Sequence, residues 1–210
     1  MVRAIIFGAG GHAAVIASLL QNHEVCFVSR EAENKSHYDR LISEDFYFKN
    51  IDFYSKIPVY IGIGNNKSRA KVFNRLSVAG IVPAICIAPN AFVAASANLG
   101  PGCVVCPGSA VMANAQVGVN VIINTLSSVD HDCLVGDHSQ ITAGVTLGGE
   151  VRMGKNCFLG IKAAIVPRVT IGDNVMIMAG STVTADIDGG VVVGGNPARI
   201  VRSLRSTDEV

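Results

Sequence analysis

The segment Asn124-Thr125-Leu126-Ser127-Ser128-Val129-Asp130-His131-Asp132-Cys133 gathers one histidine, two flanking carboxylates and an asparagine seven residues before the histidine. An imidazole beside a carboxylate suits general-base chemistry, because the acid fixes the tautomer and stabilises the imidazolium. His131 is the candidate base, Asp132 its orienting acid, and Asn124 a group that positions either the base or a substrate. Neighbouring side chains of a strand point to opposite faces, so Asp132 reaches His131 only at a bend. The same letters also suit a solvated outward turn, and spacing alone leaves both readings open.

A second candidate site stands near the start. The apolar run Val2–Phe7 precedes Gly8-Ala9-Gly10-Gly11-His12. Glycines after a strand let backbone N–H groups and a helix N-terminus approach an anion closely. Gly8, Gly10 and Gly11 are candidate phosphate contacts, with His12 beside them to hold a phosphate or a sugar. A tight strand–helix turn explains the glycines equally well. The full GxGxxG is absent, since Ala13 holds its last position, a variant that dinucleotide sites permit. The second strand ends in Ser29-Arg30 rather than in an acid that holds a ribose.

Other polar residues carry less. His138 follows Gly136-Asp137 with no polar partner in phase, as a surface histidine does, and His23 and His37 stand alone in loop-like sequence. His131, Asp137 and His138 lack a known ligand spacing, so no metal site is expected. Cys103-x-x-Cys106 invites a zinc or redox reading, but no second pair or nearby histidine completes a ligand set. Buried thiols are the expectation for the six cysteines.

What must position these groups is written in a period of six. Every sixth residue from Val93 to Val183 is Val, Leu, Ile or Met, and two residues before each stands Ala, Cys, Ser or Val from Ala97 to Ser181. No helix or ordinary strand has that period; a left-handed parallel β-helix does, with one such residue filling the interior from each flat face. Gly100, Gly118, Gly136, Gly154 and Gly172 add an eighteen-residue period, one coil of three faces, with glycine expected where the backbone bends sharply.

The first part of the chain lacks this period. It reads as an α/β half-Rossmann-like domain over residues 1–87, with a three- or four-stranded parallel sheet. Its strands are Val2–Phe7, Glu24–Val28, Val59–Ile63 and Ile81–Ile87, with helices over Ala13–Leu20 and Asn66–Ala79. Lys67, Arg69 and Lys71 are expected on the exposed side of the later helix, and Ser29–Asp45 as a polar loop or helix. The β-helix is expected over residues 88–196, ending in a short strand Val191–Val193 and the loop Gly194–Arg199; residues 197–210 form a fraying tail.

The bulk numbers agree with a globular protein of two parts. With 17 basic and 16 acidic residues among 210, nothing argues for a nucleic-acid or membrane-surface partner. No apolar run reaches the ~18 residues of a bilayer span. The apolar start is broken at Gly8, unlike a secretory core, so a cytoplasmic location and no membrane insertion are expected.

GAGGHA at the N-terminus, NT-x5-DHD in the prism and the closing GGNPARIV together resemble the sugar O- and N-acetyltransferases of the sialic-acid and bacillosamine type. The resemblance covers essentially the whole chain. It implies a homotrimer with sites between neighbouring prisms, a small domain holding a nucleotide-linked sugar, and a prism holding acetyl-CoA, with no metal. It assigns the catalytic histidine and following acid to His131 and Asp132, and the asparagine to Asn124. Acetyl-CoA contacts carry over to Gly149, Ile161, Ala179 and Gly180, and sugar-nucleotide contacts to Gly8, Gly10, Gly11, His12 and, through the "IGN" match, Asn65. Three departures stand out. Asp132 replaces a longer Glu found in some relatives, Gln140 replaces a second histidine, and Ser29-Arg30 replaces an acid that holds the nucleobase.

The activity implied is transfer of acetyl from acetyl-CoA to the amine of a nucleotide-activated 4-amino-4,6-dideoxy sugar, with His131 as base. The alternatives are O-acetylation of a sialic-acid-like sugar, a longer acyl donor, and a trimeric sugar-nucleotide-binding scaffold without catalysis.

Overall fold

The computed structural model describes residues 2–21, 24–30, 40–205 and 208; His23 and His37 lie outside these. The N-terminal part is a sheet of four parallel strands: β1 (Ala4–Phe7), β2 (Val25–Ser29), β3 (Leu41–Ser43) and β4 (Val59–Ile61). Their order in the sheet is β3-β2-β1-β4. β1 is apolar and buried along its whole length, as a strand covered on both faces must be. Helices α1 (Gly11–Leu19), α2 (Glu44–Lys49), α3 (Ile51–Tyr54) and α4 (Asn66–Val78) flank the sheet. The sequence leaves 29–45 as polar loop or helix, but Leu41–Ser43 pairs in parallel with β2 and forms the sheet edge. Ile81–Ile87 does not join this sheet. Only Cys86–Ile87 is a strand, and it pairs with Val104–Val105 in the next domain.

From Cys86 the chain winds as a left-handed parallel β-helix of two-residue strands. Each strand pairs in parallel with the one eighteen residues on, as Ile122–Ile123 does with Gln140–Ile141. Three flat faces result. The first runs from Cys86–Ile87 to Met176–Ile177, the second from Phe92–Val93 to Thr182–Val183, and the third from Asn98–Leu99 to Thr170–Ile171. The sixth-residue set points inward: Val105, Val111, Ile123, Val129, Ile141 and Leu147 are fully buried. Burying each such side chain stabilises the fold by ~1.5–3 kcal/mol. Residues two positions earlier fill the corners, and the serines among them satisfy backbone carbonyls; Ser109 Oγ donates to the Asn124 carbonyl at 2.7 Å.

The eighteen-residue glycines have a different cause from the one their spacing suggests. None of Gly100, Gly118, Gly136, Gly154 and Gly172 is in the left-handed region. They are needed because successive coils touch there: a Cβ on Gly136 would lie 2.4 Å from the carbonyl carbon of Gly154. The bends fall elsewhere, at every sixth residue from Gly102 to Gly180, all with φ between 56° and 75°. Non-glycine residues hold most of these corners, Asp132 (φ 57°) and His138 (φ 59°) among them.

The prism is closed by an antiparallel hairpin of Val191–Gly195 and Ala198–Ser203. Asn196-Pro197 is therefore the turn of a hairpin, and the first part of the expected frayed tail is its second strand.

The small domain docks on the first face of the prism. Ile6, Ala13, Ile16 and Phe27 form one apolar cluster with Cys86, Val104 and Cys106. Arg69 fastens the joint, contrary to the expectation that it faces solvent. It is fully buried, because the first face covers the side of α4 that the helix alone would expose. Its guanidinium donates within the small domain to the carbonyls of Ile63 and Gly64 (3.3 and 2.7 Å) and to Asn66 Oδ1 (2.7 Å). Across the joint it donates to the carbonyls of Asn120, His138 and Ser139 (3.1, 2.9 and 3.3 Å). Burial lowers its pKa to about 9, so it stays charged at neutral pH.

Candidate active site

His131 lies in the corner that follows the second face, and the left-handed conformation of Asp132 folds the acid back beside it. His131 Nδ1 is 2.8 Å from Asp132 Oδ2, and the His131 N–H donates to Asp130 Oδ1 at 2.7 Å. Asn114, one coil earlier and in phase, donates its Nδ2 to the other Asp132 oxygen at 3.0 Å. Sequence reasoning missed Asn114, although its offset of eighteen residues from Asp132 marks it. The hydrogen bond to Asp132 raises the His131 pKa, helped by the charges of Asp130, Asp132 and Glu150, while the same bond lowers that of Asp132.

Gly149 sits one coil beyond His131 in the same corner column. A Cβ there would lie 2.5 Å from His131 Nε2, so only glycine leaves the imidazole its place. With Nδ1–H donated to Asp132, Nε2 carries the free lone pair.

Asn124 is not brought to His131. It occupies the corner before the second-face strand Ser128–Val129, whereas His131 occupies the corner after it. Its Oδ1 accepts instead from the Thr125 N–H at 2.8 Å. Ile161, Ala179 and Gly180 share the Asn124 side of that face. The Gly180 N–H donates to the Ile161 carbonyl at 2.8 Å, all three residues are exposed, and the space beside Gly180 is open. The expected acetyl-CoA contacts thus fall at two edges of one face: Gly149 with His131 at one, Ile161, Ala179 and Gly180 at the other.

The glycine turn opens into a cavity of about 530 Å³ at the carboxyl ends of β1, β2 and β4. Gly8, Gly10, Gly11 and His12 line it together with Gly64, Ser68, Lys71, Arg30 and Glu44. Gly8 must be glycine, since its φ is 117° and a Cβ would lie 2.5 Å from the Gly62 carbonyl oxygen. Burial, assisted by Arg69, lowers the His12 pKa to about 4, and its Nε2 has no partner among the described residues. A neutral imidazole is therefore presented at the cavity wall. Asn65 is not among the lining residues; its Oδ1 caps α4 by accepting from the Ser68 N–H at 2.9 Å.

His138 is not the lone surface histidine its neighbours suggest. Its Nδ1 meets Asn120 Nδ2 at 2.9 Å, its ring packs edge-on against Phe73 at 5.5 Å, and burial lowers its pKa. All six cysteines are free and buried. Cys103 faces the prism interior and Cys106 the docked domain, so the pair shares no ligand.

Residues 3–76 match the family profile of the PglD N-terminal domain, and residues 150–185 match that of the bacterial transferase hexapeptide (six repeats). The acetyltransferase domain of PglB from Neisseria gonorrhoeae superposes with a TM-score of 0.87 at 30% identity, covering 95% of this chain and 100% of that one. The chain belongs to the hexapeptide-repeat sugar acetyltransferases of the PglD type.

A histidine-to-asparagine variant of perosamine N-acetyltransferase from Caulobacter crescentus, solved with CoA and GDP-perosamine, gives a TM-score of 0.88 at 30% identity. That likeness covers 94% of this chain and 95% of the other. Galactoside O-acetyltransferase of Escherichia coli is 36% identical over 98 residues, 38% of this chain and 48% of that protein. The chain spans about half the length, or less, of the curated relatives it matches. No helix among the described residues is long and apolar enough to cross a membrane.

Proposed function

We propose that the protein transfers acetyl from acetyl-CoA to the amine of a nucleotide-linked 4-amino-4,6-dideoxy sugar. The observation that carries this reading is the Asn114–Asp132–His131 chain of contacts, which leaves a raised-pKa imidazole with Nε2 bare beside Gly149. The glycine-lined cavity, with Lys71 and Arg30 on its wall, suits the diphosphate of the sugar nucleotide.

An amino sugar arrives largely as an ammonium and must lose a proton before its nitrogen attacks. His131 Nε2 takes that proton, and Asp132 holds the resulting imidazolium. The amine then forms the new C–N bond at the thioester carbonyl as the C–S bond breaks. On this reading the backbone N–H of Gly149, the glycine packed against the imidazole, hydrogen-bonds the carbonyl oxygen as it gains charge. The imidazolium gives this proton to the departing thiolate, and the neutral His131 then takes the second proton from the acylated nitrogen and releases it to solvent, leaving a neutral amide.

The two-edge distribution of the acetyl-CoA contacts supports a site shared between copies. A second prism against the first brings the Ile161, Ala179 and Gly180 edge of one chain to the His131 edge of another. A closed homotrimer does this three times over. Asn124, on the former edge, then meets the partner's reaction centre rather than its own. Six unpaired thiols fit a reducing, cytoplasmic setting.

O-acetylation is the second reading, supported by the prism's likeness to the galactoside enzyme. Mass analysis of products from matched amino and hydroxyl sugar nucleotides separates the two. An amide from the amino sugar supports the proposal, an ester alone supports the second reading, and nucleotide binding without CoA release supports the scaffold.

A further inference from the structure

The order β3-β2-β1-β4 sets the carboxyl ends of parallel strands in a row, with neighbours ~4.8 Å apart. The glycine turn follows β1, Ser29 and Arg30 close β2, and Glu44 follows β3 directly. If the phosphates of a nucleoside diphosphate sit on the glycine turn and the nucleoside runs toward β2, its ribose falls about 5 Å along this row. Its base then lies about 10 Å along, over the end of β3.

Glu44 stands where the base falls. Its side chain is 9% exposed, yet it lines the same cavity as the glycine turn. Both of its contacts use one oxygen: Arg30 Nε at 3.4 Å and Arg75 Nη1 at 2.6 Å reach Oε2. Oε1 accepts no hydrogen bond from the described residues. Oε1 is thus the carboxylate oxygen left open at the cavity wall, able to accept an N–H or O–H from whatever fills it.

The neighbours narrow the choice. Arg75 packs over the Phe48 ring at 4.1 Å and does not line the cavity, whereas Arg30 does. Among the described residues, the base end of the cavity presents the Arg30 guanidinium and the Ser29 hydroxyl beside the Glu44 carboxylate. Resting on the nucleotide-sugar reading above, we infer that Glu44 and Arg30 read the nucleobase and select guanine. Guanine alone among the common bases sets two adjacent donors, N1–H and N2–H, next to a carbonyl. Oε1 accepts from the donors while the guanidinium reaches O6. Uracil and thymine flank their single N–H with two carbonyls, one of which turns toward the carboxylate. Adenine and cytosine put a bare ring nitrogen beside their amine, and a carboxylate repels it. The acid missing after β2 is thus replaced by one after β3.

Calorimetric titration of the full chain with GDP, IDP, UDP and dTDP tests this. GDP is expected to bind roughly tenfold or more tighter than UDP and dTDP, as a hydrogen bond to a charged group implies. IDP, which lacks the second amine, should fall between. In Glu44→Gln, with folding checked by its melting curve, the preference should shrink toward one while binding persists. UDP or dTDP matching GDP, or IDP matching GDP, in the unaltered protein overturns the inference and leaves the nucleotide-sugar reading standing. Binding of none of the four overturns that reading and the inference with it.

Discussion

Asp132 Oδ2 lies 2.8 Å from His131 Nδ1 because residue 132 is left-handed, with φ at 57°. In an extended strand the two side chains would diverge. Asn114 holds the other Asp132 oxygen, so the shorter acid in place of glutamate still grips the imidazole.

This contact sets the pH dependence. With His131 as the proposed base, which works only when neutral, and Asp132 raising its pKa, activity is expected to begin at a higher pH than an unperturbed imidazole allows. Asp132→Asn removes the charge and lowers that pKa. The acid limb of the kcat/KM profile should move to lower pH while the plateau falls. A limb that stays in place would show that another group titrates.

The proposed sharing of the site between subunits predicts rescue between inactive chains. His131→Ala and Ala179→Trp each spoil a different edge. The whole population of trimers refolded from equal amounts should recover about one quarter of wild-type turnover, since one pairing in four joins two intact edges. No recovery in mixed trimers would place the whole site within one chain.

The coil contact at Gly136 predicts a large loss of stability from a single methyl. Gly136→Ala sets a Cβ 2.4 Å from the backbone of the next coil, so the coils must part. A fall of about 1–3 kcal/mol in unfolding free energy is expected from such overpacking. A neutral result in denaturant melts would contradict the stacking account.

Arg69→Met should cost about 3 kcal/mol or more, because it leaves several buried carbonyls on both sides of the domain joint without donors. Amide exchange in α4 should rise with it. A loss below about 1 kcal/mol would mean the apolar cluster alone carries the joint.

The prism was legible because its interior accepts only aliphatic side chains at one phase, and Val93 to Val183 state that phase without a break. The bends were less so: Gly and Asn hold eight of the fourteen left-handed corners from Gly102 to Gly180, but Leu, Asp, His, Glu, Lys and Arg hold the other six. Arg69 looked exposed because helix periodicity knows nothing of the wall that covers α4. His138 looked partnerless because Asn120 is eighteen residues away, one coil and not one neighbour. Glu44 was hidden within a polar run whose edge strand has only three residues.

The most direct test of the account is turnover of His131→Ala, followed by CoA release with a thiol reagent, alongside its affinity for acetyl-CoA. With a 4-amino sugar nucleotide that the unaltered protein acetylates, kcat should fall by ~10²–10⁴ while acetyl-CoA binding stays nearly unchanged. Near-wild-type turnover in that variant would contradict the assignment of His131 as the base.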